Sequence, residues 1–187
     1  MKVSPMDLPD VLLIELDRHP DARGSLFEAY QAERYRAAGI DVPFFQDNVS
    51  ISRRGVLRGL HLQNPGAQAK LITALQGEIF DVAVDVRVGS PTFGRWTAAV
   101  LSPDNGRQMF IPEGFAHGLY ALSEQIVAHY KCGAPFRPQA ALAIAWDDPD
   151  LGIAWPDRAP QLSDKDARNP RLADVPLDRL PVYTAGR

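Results

Sequence analysis

The residues of this chain best suited to chemistry sit in one acid-free window. From Asn48 to Gly77 there is no Asp or Glu, yet Arg53, Arg54, Arg58 and Lys70 fall there, with His61 among them. An imidazole titrates near neutral pH, so it can take up a proton and return it. Basic side chains around it would hold an anion, or stabilise negative charge formed in a reaction. The plainer account is a chance gap in an otherwise acidic chain, with Arg53 and Arg54 in a solvated turn. The other histidines are His19, His117 and His129. His19 stands beside Pro20 and reads as an exposed loop residue. His129 adjoins Tyr130, and strand alternation would send those two side chains to opposite faces.

Such residues need a rigid frame, and the sequence reads as mostly β. Residues 79–87 alternate with a period of two: Phe80, Val82, Val84 and Val86 share one face, and Asp81, Asp85 and Arg87 the other. The two acids would line a cavity, pair with Arg87, or face solvent. Further short strands are expected at 71–75, 96–101, 108–111, 118–122 and 126–131, separated by Gly, Pro and Asn turns. One helix is expected at 31–38, stopped by Gly39. The tail from about Asp147 is rich in Pro and Asp and should wrap the strands with short helices. There is no internal repeat, so residues 1–187 read as a single domain.

Composition agrees with a soluble enzyme or binding protein. The chain has 187 residues and 45% hydrophobic content. A chain this long removes roughly 70% of its extended surface from water on folding. With 20 basic and 23 acidic side chains the net charge is -3, which argues against a nucleic-acid partner. Cys132 is the single cysteine, so no intrachain disulfide can form, and it reads as an inert small residue. The first residues lack the apolar core of a signal peptide, and no apolar run approaches the roughly 20 residues of a membrane span. The expectation is a cytoplasmic protein with no membrane partner.

Two spacings look like the two motifs of the cupin superfamily. Gly55 is followed after five residues by His61, then by Gln63, Lys70 and Gly77; Gly106 is followed by Pro112 and His117. The fold expected is a cupin-type β-barrel, or jelly roll, with a few short peripheral helices. Metal-binding cupins place ligands where this chain has His61, Gln63, Lys70 and His117. An ammonium repels a cation and a carboxamide is a poor ligand, so the metal site reads as lost. A base, a fixed cation and a second imidazole suit proton transfer on an enolising substrate.

Nearly end to end, the chain resembles the dTDP-4-dehydrorhamnose 3,5-epimerases, which are metal-free cupins. The matching segments include Asp21-Ala22-Arg23-Gly24, Gln46-Asp47-Asn48, Arg58-Gly59-Leu60-His61, Ile111-Pro112-Glu113-Gly114, Tyr130-Lys131 and Leu162-Ser163-Asp164-Lys165-Asp166. The resemblance implies inversion of C3 and C5 beside the C4 ketone of a dTDP-hexulose, in dTDP-rhamnose biosynthesis. No cofactor is implied. By position, His61 would be the base, Asp166 its orienting carboxylate, Tyr130 the acid on the opposite face, and Lys70 the stabiliser of the enolate oxygen. Arg23, Arg58 and Lys165 would face the diphosphate or sugar, and Glu28, Gln46, Asn48 and His117 would hold hydroxyl groups. The resemblance also implies a homodimer whose sites share residues across the interface.

The chain departs from the family pattern at three places. Pro135-Phe136 stands where the family has Tyr-Tyr, Ala141 where it has Glu, and Leu26 where a Phe packs on the base. These touch nucleotide and sugar binding. They leave open a 3-epimerase that acts only at C3 of a dTDP-4-keto-hexose. The readings from other classes are a metal-dependent cupin enzyme and a non-catalytic sugar-nucleotide-binding barrel.

Overall fold

A computed structural model describes residues 1–184. The chain begins with strands β1 (Lys2–Pro5) and β2 (Leu12–Glu15), then β3 (Arg18–Asp21) and β4 (Gly24–Phe27). A short helix α1 (Ala32–Ala37) leads to β5 (Gln46–Arg53), β6 (Leu57–Gln63), β7 (Lys70–Gln76) and β8 (Ile79–Asp85). There follow β9 (Trp96–Leu101), β10 (Arg107–Ile111), β11 (Phe115–Ala121), β12 (Gln125–Cys132) and β13 (Ala141–Ala143). Every strand pairing is antiparallel.

Two sheets carry the fold. One has the order β1-β2-β10-β7-β12-β5, the other β13-β6-β11-β8-β9, and β3 and β4 form a separate hairpin. This is the jelly-roll arrangement of the cupin type. Alternation along the strands explains its layering. Ile72, Met109 and Ala128 of the first sheet meet Ala83, Phe115 and Leu119 of the second in a shared core. The opposite residues of each strand form two outer cores. Helix α1 covers one, where Tyr35 and Ile40 pack on Ile14, Leu71 and Phe110. The C-terminal tail covers the other, where Leu151, Leu172, Val175 and Leu180 pack on Leu60, Val82 and Val84.

The tail therefore wraps as expected, as three 3-10 turns at Asp166–Arg168, Leu172–Asp174 and Leu177–Arg179. Asp148 pins it by accepting from the backbone N–H of Leu172 at 2.7 Å. The helix starts one residue later than expected, because Gln31 is its cap and accepts from the Arg34 N–H. Strand β11 begins at Phe115 rather than 118, since the turn at 112–114 hands the chain directly into the sheet. Strand β8 keeps its expected faces but stops at Asp85, which turns to cap the Arg87 N–H. The acids of β8 do not face solvent: Asp81 and Asp85 are both fully buried.

Gly59 sets the entry to His61. Its φ is +130°, and an added Cβ would lie 2.5 Å from the Gly118 Cα. The pairing of β6 with β11 shifts register here, between His117 and Leu119. Two glycines let the backbones close up at the shift. His61 and His117 then fall directly opposite each other across the ladder.

Candidate active site

A cavity of about 350 Å³ opens between the two sheets, and both contribute side chains to it. Asn48 and Ser50 of β5, Lys70 of β7 and Tyr130 of β12 reach in from one sheet; His61 of β6 and His117 of β11 reach in from the other. The tail adds Lys165 and Asp166 at the rim.

His61 carries the first pair. Its Nε2 lies 2.7 Å from Asp166 Oδ1; the imidazole is 44% exposed and the carboxylate 7%. Burial alone would raise the Asp166 carboxyl, but the hydrogen bond and charge of His61 outweigh it and hold Asp166 below the usual range. A carboxylate so placed can orient the ring and stabilise an imidazolium.

Tyr130 stands on the opposite sheet. Its hydroxyl is 2.9 Å from Ser50 Oγ. Burial pushes its phenol up to about 12, so it stays protonated at neutral pH. Its ring meets His117 edge to face, with centroids 5.8 Å apart.

Lys70 forms the floor. Among the described residues its Nζ bonds only to the His61 carbonyl, at 3.4 Å, which leaves N–H groups for a ligand. Burial lowers its pKa, and neighbouring Cys132 and Asp81 oppose that. The second pair lies beside it: His117 Nε2 is 2.8 Å from Asp81 Oδ1, with side-chain exposures of only 6% and 0%. Burial pushes the His117 imidazole down and the Asp81 carboxyl up, each partly offset by the other.

Other expected residues divide into two groups. Asn48, Arg58 and Lys165 line the cavity, and Arg58 is steadied by its bond to Ser52 Oγ at 3.0 Å. Gln46 borders it, bonded to Asn48 and to the Phe136 N–H. Arg23 and Glu28 lie outside its lining. Arg23 is at the tip of the β3–β4 hairpin, paired with Asp21, and Glu28 pairs with Arg34 at 3.0 Å. His129 points away from the cavity, 3.7 Å from Asp47, as alternation requires.

The sequence reading missed a glutamine clamp on one wall. Gln63 accepts from the Arg137 N–H at 2.7 Å and donates to the carbonyls of Gly66 and Pro135. Gln68 donates to the Ala134 carbonyl at 2.6 Å. With Gln46 on Phe136, three side chains fix the backbone of 134–137, and Phe136 lines the cavity beside Ala141, Leu142 and Leu62. The apolar stretch at Pro135-Phe136 was the visible signal; the partners come from strands distant in sequence.

Comparison with known proteins places the chain in a family. The family model for dTDP-4-dehydrorhamnose 3,5-epimerase matches residues 5–174. The chain is 49% identical over 177 residues to the dTDP-4-dehydrorhamnose 3,5-epimerase of Pseudomonas aeruginosa, covering 94% of this chain and 98% of that one. It is 46% identical over 179 residues to that of Methanothermobacter thermautotrophicus, with 94% of each covered. The crystal structure of dTDP-6-deoxy-D-glucose-3,5-epimerase from Legionella pneumophila, in complex with dTDP-4-keto-L-rhamnose, superposes with a TM-score of 0.95 at 45% identity, covering 98% of this chain and 99% of that one. A 3'-monoepimerase from Streptomyces bikiniensis, in complex with dTDP-quinovose, superposes at 0.90 with 38% identity, covering 96% and 93%. The chain belongs to the dTDP-4-dehydrorhamnose 3,5-epimerase family.

Proposed function

We propose that this chain is an isomerase that inverts C3 and C5 of dTDP-4-dehydro-6-deoxy-D-glucose, giving dTDP-4-dehydro-L-rhamnose for dTDP-rhamnose biosynthesis. One observation carries the reading. A carboxylate-held imidazole and a protonated phenol face one cavity from opposite sheets, and Lys70 lines the same cavity.

The C4 ketone makes the C–H bonds at C3 and C5 acidic. His61 removes a proton from one such carbon, and the electron pair moves to O4 as an enolate. Lys70 stabilises that oxygen with a charge already in place, so little reorganisation is needed. Tyr130 returns a proton from the other face, which inverts the carbon. His61 then loses its proton to water, and the phenolate regains one. Arg58 and Lys165 meet the diphosphate at the rim, and Asn48, Gln46 and His117 hold hydroxyl groups. A lysine and a carboxamide already bonded to three backbone groups fill two of the four ligand places of metal cupins. That supports a reaction without metal or redox cofactor.

The reading includes a homodimer. Arg23 and Glu28 lie away from the cavity of their own chain, and Ile51 and Leu75 are exposed on the outer face of the six-stranded sheet. A second copy seated on that face would cover those apolar residues and bring Arg23 and Glu28 to a neighbouring site. A cytoplasmic location fits a charged sugar-nucleotide substrate. No helix among the described residues is long and apolar enough to cross a membrane.

The test is incubation with dTDP-4-keto-6-deoxyglucose in deuterated water, followed by NMR. Deuterium at C3 and C5 is expected. Label at C3 alone makes the chain a 3-epimerase, and no label at either carbon defeats both readings.

A further inference from the structure

Gln63 lines the cavity, yet its carboxamide is already committed. It stands two residues after His61 on β6, on the same face, and is only 4% exposed. Its Nε2 donates to the carbonyls of Gly66 and Pro135, the second at 3.3 Å. Its oxygen accepts from the Arg137 N–H at 2.7 Å. A carboxamide nitrogen carries two hydrogens, and two acceptors claim them. A cavity residue so engaged acts on a ligand through what it holds.

What it holds is the segment 134–137, which has no regular structure to keep it in place. Pro135 lacks an N–H, and Pro138 biases Arg137 toward an extended conformation, so neither a strand ladder nor a helix runs through. Backbone bonds tie the flanks: the Gly133 N–H donates to the Ala69 carbonyl at 2.8 Å, and the Asn64 N–H to the Ala140 carbonyl at 2.9 Å. Between them the polar backbone atoms turn to side chains. The Ala134 carbonyl accepts from Gln68 at 2.6 Å, and the Phe136 N–H donates to Gln46 at 2.8 Å. Of the three glutamines, Gln63 alone grips the chain on both sides of Phe136. The Phe136 side chain is 54% exposed and faces the cavity. A phenyl ring held out from the core on a fixed backbone, beside convergent polar groups, is placed to meet a ligand.

We propose that Gln63 is a positioning residue for the sugar nucleotide: it fixes Phe136 as an apolar wall of the cavity and joins that wall to β6, the strand that carries His61. The proposal rests on the epimerase reading of the cavity. It assigns Gln63 to binding rather than to proton transfer, because its bonds run to the wall and none runs to His61, Lys70 or Tyr130.

The experiment compares wild type, Gln63→Met, Phe136→Ala and the double variant in steady-state kinetics on dTDP-4-keto-6-deoxyglucose. Gln63→Met should raise KM roughly 10-fold and leave kcat within about twofold, the pattern of lost uniform binding. Phe136→Ala should do the same. The double variant should be no worse than either single one, because both remove the same wall. Binding of dTDP-glucose, which has no C4 ketone and cannot enolise, should weaken in step when measured by calorimetry. An unchanged KM with a lowered melting temperature overturns the proposal, since Gln63 would then serve the fold alone. Losses that add in the double variant, or a loss confined to kcat, overturn it too. Where Gln63→Met does not fold, Gln63→Glu keeps the acceptor for the Arg137 N–H and gives up the bonds to the two carbonyls; its KM should still rise, and an unchanged value overturns the proposal. Should wild type turn over no keto sugar while dTDP-glucose binding shows the same non-additive pattern, the wall stands and the epimerase reading fails.

Discussion

The cavity holds two histidine–carboxylate pairs that differ in water rather than in geometry. His61–Asp166 spans 2.7 Å and His117–Asp81 spans 2.8 Å. The first sits at the mouth on a strand and a tail turn; the second lies between two central strands. Where water reaches the imidazole, the pair can exchange protons, and its carboxyl is held low by the histidine. Where water is absent, burial pushes the acid up and the imidazole down. In the proposed mechanism, the same two residue types thus make a base in one place and a buried hydrogen-bonded support in the other.

The sharpest way to break this contrast is to remove each imidazole. His61→Ala should lose roughly 1000-fold or more of the epimerisation rate, measured by product formation. His117→Ala should mainly raise KM. Equal losses in kcat would erase the distinction. Next comes Lys70, which lines the same cavity. Lys70→Met should cost roughly 100- to 1000-fold in kcat, the usual effect of losing a donor aimed at a developing oxyanion. Tyr130→Phe should cost roughly 100-fold in inversion. Its loss of C–H exchange should be smaller, because abstraction by His61 survives; rates of isotope washout and of product formation separate the two.

The smallest effects are on stability, and their signs oppose. Asp166 has a lowered folded pKa, so its contribution is present above the unfolded carboxylate value near 3.9 and is lost as pH falls through the folded value. Asp166→Asn should therefore flatten the acid limb of a melting-temperature profile. Asp81 has a raised folded pKa, so its contribution is full at low pH and lost as pH rises through the folded value. Asp81→Asn should be no less stable than wild type at pH 8. A clear drop there would mean that its ionised form is favoured on folding.

Much of this was legible in the sequence, for reasons that differ by residue. The alternation at 79–87 placed Phe80 and Asp81 on their faces correctly, because a strand period needs only local spacing. It could not say which face meets water, since the tail that buries Val82 and Val84 lies about seventy to one hundred residues further on, at Leu151 to Leu180. His61, Lys70 and Tyr130 were found by motif and resemblance, and they do share one cavity. Asp81 was left between cavity, ion pair and solvent, because its partner His117 is 36 residues away. Arg23 and Glu28 match the family in sequence and lie outside the cavity lining of this chain, because the β3–β4 hairpin and the segment after it pack elsewhere. The glutamine clamp has no local period at all, as Gln46, Gln63 and Gln68 come from three separate places on the sheets and loops.

The contrast between the two pairs stands or falls on deuterium incorporation into dTDP-4-keto-6-deoxyglucose by His61→Ala and His117→Ala, followed side by side. The account predicts no label at C3 or C5 with His61→Ala, and slowed but complete labelling with His117→Ala. Full exchange by His61→Ala would remove His61 from the chemistry and contradict the account.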